Sequence, residues 1–170
     1  MAFEAAMLEF DPLAALSEEH TSLTQLFARH QEALVTRAWA RAARLLDSYQ
    51  RRLLHHIGLE ERYLLPCCPT QKLAGQWPAS VYAAEHRRIE DLLQRQITRL
   101  AKARRHGVST TRLIALLDEE KTLKHLVEHH HEREDLALFV TARQALPENA
   151  RLQFTRELMS AGIATMVASR

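Results

Sequence analysis

Apolar residues recur every three or four positions along most of the chain, which is the spacing of an amphipathic helix. Turn-forming residues interrupt this pattern at only a few points, among them Pro66, Gly107 and Pro147. Period-two strand patterns are nearly absent, so the chain is predicted to be all-α. The five predicted helices run from Asp11-Pro12 to about Leu34, Arg37 to Leu65, Ala79 to Arg105, Thr111 to Ala145 and Glu148 to about Ala168.

The links between these helices indicate how they pack. Short links join the first helix to the second and the third to the fourth, which favours antiparallel neighbours. The chain of 170 residues is long enough for one domain with a single hydrophobic core. We therefore predict one domain over residues 1–170. Its fold is an antiparallel four-helix bundle with the core at about 13–145, plus an additional C-terminal helix that covers the bundle end or binds a partner.

Two segments place histidine and glutamate inside an otherwise apolar stripe. Residues 127–139 read VEHHHEREDLALF, and residues 53–65, LLHHIGLEERYLL, align with them without a gap. The alignment matches His56 with His130 and Glu60 with Glu134, and helical side chains four residues apart lie on one face. Because a buried carboxylate without a compensating charge is costly, each pair calls for a cation. Two helices therefore offer the same ligand pair to a shared centre.

Two further histidines lie on or beside the apolar stripes of the other helices. His20 is at the edge of the first stripe, and His86 is within the third, where Glu90 follows one turn later as a further candidate. Each residue alone has an ordinary explanation as a packed or exposed side chain. Together they come from four successive helices and face the core. The predicted metal ligands are His20, His56, Glu60, His86, His130 and Glu134.

The neighbouring histidines of the fourth helix are predicted to be poorer ligands. A shift of one residue rotates a helical side chain by about 100°, which turns His129 and His131 away from the stripe that contains His130. His125 and His129 are themselves four residues apart, so a separate metal pair on the surface is the competing interpretation.

The type of donor restricts the metal. Four imidazoles and two carboxylates, with no thiolate aligned to them, suit iron best, and manganese or zinc is the alternative. Two carboxylates can bridge two ions. Six protein ligands shared by two ions leave coordination positions for water or a small diatomic molecule.

Composition and charge argue against several other classes. The 23 basic and 21 acidic residues leave a formal charge of +2, which gives no electrostatic basis for a nucleic-acid partner. No apolar run approaches membrane-spanning length, and the first ten residues, MAFEAAMLEF, lack the basic residues of a secretory signal. Cys67 and Cys68 are adjacent and have no distant partner, so free thiols are favoured over a redox pair. We therefore predict a cytoplasmic protein.

The paired motifs resemble those of the hemerythrin-like, HHE cation-binding family, and the resemblance extends from Leu13 to about Phe139. It implies a helical bundle around a non-haem di-iron centre with bridging carboxylates. Oxygen-carrying hemerythrins have a second histidine one turn after the first on the third helix. This chain has Glu90 there, which is unfavourable to reversible oxygen carriage. By motif, the resemblance assigns Glu-Glu-His to His20, His-x-x-x-Glu-Glu to His56 and Glu60, Glu-His to His86, and His-x-x-x-Glu-Asp to His130 and Glu134.

These expectations leave three functions open. The favoured one is a binding or sensing protein whose di-iron centre takes up oxygen or nitric oxide, or holds iron. The second is a di-iron enzyme that acts on peroxide, nitric oxide or ferrous iron. The third is a bundle that a metal merely fastens, with the C-terminal helix as a homodimer interface.

Overall fold

The computed structural model describes residues 10–71, 73 and 75–160. It confirms the all-α prediction, because an isolated bridge between Leu73 and Gln76 is the nearest approach to a strand within these residues. The C-terminal helix is described as far as Ser160, so its predicted continuation to about Ala168 lies outside the described residues. The helices are α1 (Pro12–Val35), α2 (Trp39–Leu59), α3 (Ala79–His106), α4 (Thr110–Arg133), α5 (Phe139–Ala145) and α6 (Glu148–Ser160).

Local sequence signals set the ends of these helices. Asp11 caps α1, because its side chain accepts hydrogen bonds from the backbone N–H groups of Leu13 and Ala14 at 3.0 and 3.2 Å. Gly107 ends α3 with a φ of 66°, a conformation that glycine adopts without steric cost.

Two π-helical turns interrupt the helices that carry the paired motifs. One covers Glu60–Leu64 at the end of α2, and the other covers Glu134–Leu138 between α4 and α5. Uninterrupted helices were predicted across both segments, so the sequence pattern missed these turns. Each begins at a predicted carboxylate ligand, and π-helical turns are frequent at functional sites because they re-aim the side chains that follow.

Four helices run alternately up and down between two apolar layers. The layer around Leu23, Leu53 and Leu123 and the layer around Leu16 and Tyr82 both have members on α1, α2 and α3, and the fourth helix reaches the second layer through Leu138 and Phe139, which follow α4. Along α1 and α3 the chain passes from the second layer to the first, and along α2, and from α4 into α5, it passes in the reverse direction. This alternation makes the bundle antiparallel, and the predicted ligands lie between the two layers.

The described part of the C-terminal helix closes one end of this bundle. Phe154 and Leu158 of α6 are fully buried in the second apolar layer. The ring of Phe154 stacks on Tyr63 with centroids 5.2 Å apart, and the Tyr63 hydroxyl donates a hydrogen bond to Glu157 at 2.7 Å. A homodimer through this helix stays a prediction. Within the described residues, no helix has the length and apolar character that crossing a membrane requires.

Candidate metal centre

The six predicted ligands meet at the middle of the bundle. Their exposed fractions lie between 0 and 6%, so the site is shielded from bulk water. Each of the four long helices contributes at least one of them, and the π-helical turns supply the two carboxylates. The residues brought together are His20, His56, Glu60, His86, His130 and Glu134.

The two glutamates lie between the imidazoles and face both sides. Glu60 places one oxygen 3.2 Å from Nε2 of His56 and the other 3.5 Å from Nε2 of His86. Glu134 places one oxygen 2.7 Å from Nε2 of His130 and the other 3.4 Å from Nε2 of His20. Each carboxylate therefore reaches one imidazole on either side, as a ligand shared by two ions would.

The donors form two sets that share Glu134. Within each set, one ligand atom per residue lies within 4.8 Å of all the others, and every member is buried. The first set includes His131, which was predicted to point to the flank. The sets are His20, His56, His131 and Glu134, and Glu60, His86, His130 and Glu134.

His131 is buried because α4 packs between two helices. His130 faces α3, where its ring meets His86 edge-on with centroids 4.8 Å apart. His131, turned by about 100°, faces α1 and stacks on His20 at 3.8 Å with an angle of 5° between the rings. The rotation was predicted well, but the core-facing side of a helix in a bundle is itself at least about 100° wide. The run of three histidines was the only signal in the sequence.

The remaining candidates lie outside the cluster. Glu90 is exposed, because Ile89 occupies the inward position of that turn. Glu90, which the sequence left open as an additional ligand, is in neither donor set. His125 and His129 are also exposed, and Nδ1 of His129 contacts Glu132 at 3.2 Å.

Four further carboxylates, outside the two donor sets, contact the outer nitrogens of four imidazoles. Such contacts fix which ring nitrogen faces the metal and raise the basicity of the ligand. Sequence reasoning assigned these carboxylates no role. The Nδ1 contacts are His56 with Glu19 at 3.5 Å, His86 with Glu61 at 3.0 Å, His130 with Glu85 at 2.9 Å and His20 with Asp135 at 3.3 Å.

These four contacts form a closed ring around the bundle. A carboxylate of α1 supports the histidine of α2, the turn after α2 supports α3, α3 supports α4, and the turn after α4 supports α1. Each supporting carboxylate is the sequence neighbour of a predicted ligand. This adjacency was the signal that could have identified them: Glu19 precedes His20, Glu61 follows Glu60, Glu85 precedes His86 and Asp135 follows Glu134.

The inward atoms are suited to a cation. Both oxygens of Glu60, both oxygens of Glu134, and Nε2 of His86, His130 and His131 are buried and have no hydrogen-bond partner among the described residues. The 2.7 Å approach of His130 to Glu134 does not have the angles of a hydrogen bond. Leaving so many buried polar atoms unsatisfied is costly. Imidazole nitrogens and carboxylate oxygens that converge in this way fit a metal centre.

The electrostatics of the metal-free cluster support the same assignment. Burial opposes protonation of His56, but Glu60 and Glu19 outweigh it and raise its pKa to about 10. Despite burial, Glu134 and Glu60 likewise raise the pKa of His86 to about 10. Burial and the neighbouring imidazoles lower the pKa of His131. Without metal, protons therefore balance the charge of the carboxylates, and a bound cation would replace them.

The comparisons with known proteins agree with this geometry. The family model described as Hemerythrin HHE cation binding domain matches residues 11–140, which include every residue of the two donor sets. Comparison with curated proteins and with solved structures gave no significant match. Because the family model covers most of the sequence and the helical bundle has the expected architecture, the chain belongs to the hemerythrin HHE cation binding domain family.

Proposed function

We propose that this protein holds two non-haem iron ions at the centre of its bundle and binds a small diatomic ligand there, either oxygen or nitric oxide. The observation that supports the proposal is the convergence of buried, unpartnered donor atoms. Two carboxylates lie between two groups of imidazoles, and each carboxylate reaches both groups.

The donors favour iron over the other common metals. Mixed nitrogen and oxygen donors suit iron, and they also accept manganese or zinc. Cys67 and Cys68 are not in either donor set, so the softer sulfur ligands play no part. Burial and Cys67 raise the pKa of the Cys68 thiol to about 11, which disfavours the reactive thiolate and any redox role for the pair. Bound iron would supply the open coordination position at which oxygen or nitric oxide binds.

The surrounding chain restricts what can reach the centre. The donors are at most 6% exposed, which admits a diatomic molecule more readily than an organic substrate. Tyr82 lies next to the second donor set, its ring edge-on to His130 with centroids 6.4 Å apart. Its hydroxyl is buried and has no hydrogen-bond partner among the described residues, so it is available to donate to a small ligand.

One feature favours the alternative of a di-iron enzyme. The supporting carboxylates Glu61 and Asp135 have side chains 48 and 40% exposed, and they contact His86 and His20 at 3.0 and 3.3 Å. Each therefore connects an inner histidine to solvent. Such contacts can carry protons to and from the centre, as reduction of peroxide or nitric oxide and oxidation of ferrous iron require.

Stopped-flow spectroscopy of the anaerobically iron-loaded protein separates these functions. We expect about two iron ions per chain and a stable adduct with oxygen or nitric oxide. Rapid formation of ferric iron with turnover would support the enzyme instead. Two loaded ions that react with neither gas would support a centre that only fastens the helices.

A pair of double variants tests the site itself. Replacing His56 and His130 by alanine should reduce the iron content to a trace. The matched control replaces His125 and His129, which are exposed on α4, and should load iron normally. Trace iron in the unmodified protein, or undiminished loading after the His56 and His130 replacements, would contradict the proposal.

A further inference from the structure

We infer that His131 binds the metal ion held by His20 and His56, and that a small exogenous ligand therefore enters at the other ion, held by His86 and His130. The inference rests on the proposed dinuclear centre. It concerns how the protein donors are divided between its two positions.

The burial of His131 requires an explanation beyond packing. Its ring is 5% exposed and stacks on His20, an arrangement that a phenyl ring would also satisfy. Its Nε2, however, is buried without a hydrogen-bond partner among the described residues. If the ring served only for packing, desolvation of this nitrogen would lower the stability without a compensating interaction. A metal ion at the first donor set would remove that cost.

The position of the nitrogen agrees with a ligand role. The ligand atoms of His20, His56, His131 and Glu134 all lie within 4.8 Å of one another. In addition, Nε2 of His20 and Nε2 of His56 face each other at 3.1 Å, so both are directed toward the same small volume. His131 therefore adds a third imidazole at this position.

The two metal positions are consequently unequal. Glu60 and Glu134 each reach imidazoles of both sets. With the carboxylates shared, the first position has three histidines, whereas the described residues supply the second with two, His86 and His130. The exposed Glu90 adds nothing to the second position. The less saturated ion is therefore the one with room for an exogenous ligand, and it is also the one beside Tyr82.

His131 should be the most replaceable of the five histidines. The other four have carboxylates on their outer nitrogens, whereas His131 forms no ion pair with a described carboxylate. A histidine without this support is the weaker donor. Free imidazole should therefore substitute for the side chain once it has been removed.

The experiment titrates the metal-free protein with Co²⁺ under anaerobic conditions and then measures azide binding to the iron-loaded protein. The variants are His131→Ala, His131→Phe, which keeps a stacking ring, and the exposed neighbour His129→Ala as control. In both His131 variants the tighter of the two Co²⁺ sites, the one with three histidines, should lose affinity by at least about tenfold. Millimolar imidazole should restore it in His131→Ala but not in His131→Phe. His129→Ala should match the unmodified protein.

Azide stoichiometry tests the second half of the inference. The unmodified protein should bind one azide per two iron ions, and His131→Ala should bind two, because it opens a position at the other ion. Circular dichroism of each metal-free variant verifies that the helices are formed. If the unmodified protein binds two metals and both His131 variants titrate like it, the inference is overturned while the proposed function stands. If the unmodified protein binds no metal, the proposed function itself fails.

Discussion

The bundle contains two buried histidine–glutamate arrangements, and their difference shows what identifies a metal centre. Besides the central cluster, His30 of α1 and Glu120 of α4 are paired toward the other end, both at most 1% exposed. Nε2 of His30 contacts Glu120 at 2.8 Å, and Nδ1 of His30 contacts the carbonyl oxygen of Ala42 at 2.9 Å. Gln31 donates a further hydrogen bond to the second oxygen of Glu120 at 3.3 Å. Every polar side-chain atom of this pair therefore has a hydrogen-bond partner.

The central cluster has the same residue types and similar burial, yet it cannot satisfy itself. Its two bridging carboxylates and four of its imidazoles have buried atoms without hydrogen-bond partners among the described residues, whereas the His30–Glu120 pair has no such atom. Burial of histidine beside glutamate is therefore not diagnostic of a metal site. Convergent donors that lack partners are diagnostic, because only a cation satisfies all of them at once.

The largest predicted effect is at the central cluster. His130→Ala should abolish binding of at least one iron and lower the free energy of unfolding by about 3 kcal/mol, because Glu134 is left buried with less positive charge. Iron content and chemical denaturation of the loaded protein measure both effects. The control His129→Ala should cost roughly 0.5 kcal/mol or less and keep its iron. Loss of iron in His129→Ala alone would indicate that the pair of His125 and His129 is the real site.

The His30–Glu120 pair should respond differently when its histidine is replaced by alanine. His30→Ala should also cost about 3 kcal/mol, since it leaves Glu120 buried without its partner, but the iron content should not change. Denaturation of the metal-free protein together with iron analysis separates the two effects. A double variant, His30→Leu with Glu120→Leu, should recover most of the loss. An iron deficit in His30→Ala would show that the two regions are coupled.

The stability of the metal-free protein should fall as the pH rises from 7 to 10. His56 and His86, with pKa values of about 10, and His130, with about 9, are all raised above the unfolded value of 6.5. The native state therefore holds more protons than the unfolded chain in this range. The stability that this difference contributes is fully present below pH 6.5 and is lost as the pH rises through 9 to 10.

Thermal unfolding of the metal-free and metal-loaded proteins across this range measures the effect. The loaded protein should show a much weaker dependence, because bound metal requires the imidazoles to be neutral. A melting temperature of the metal-free protein that rises between pH 7 and 10 would contradict the assignment.

The smallest predicted effect is in the ring of supporting carboxylates. Glu85→Gln should weaken metal binding by about 10- to 100-fold without removing a ligand, because it changes the support of His130. Glu85 also forms a salt bridge with Arg133. Glutamine is chosen because it keeps the side-chain volume at this contact. Competition with a metal chelator measures the affinity. Glu90→Gln, at an exposed position of the same helix, is the control and should match the unmodified protein.

Much of this architecture was predictable because it depends on helical periodicity. The stripes predicted the helices, and the inward positions of His56 and His130 in their stripes predicted that both would reach a shared centre. Periodicity treats every helix as uniform, so it could not show the π-helical turns at Glu60 and Glu134. It also assigns one inward direction to each helix. His131 was missed for that reason, since α4 has neighbours on two sides.

The sequence also could not show which buried polar atoms would find hydrogen-bond partners. His30 and His20 both lie on or near the stripe of α1 and are equally plausible as isolated residues. Only the partners distinguish them: His30 meets a backbone carbonyl and Glu120, whereas His20 meets other metal-binding groups. These partners are 12 to 90 residues away from His30 in the chain. No local pattern contains that information.

The ring of supporting carboxylates makes the centre a joint property of the two halves of the chain. The contacts of Glu19 with His56 and of Glu85 with His130 each stay within one half, before or after the segment between α2 and α3. The contacts of Glu61 with His86 and of Asp135 with His20 cross between the halves. A chain cleaved in that segment would yield two fragments, each with part of the ligand set and two of the four supporting carboxylates. Because a bound metal would contact donors from both fragments, metal should favour their reassembly, and the centre would act as a coupling element of a split protein.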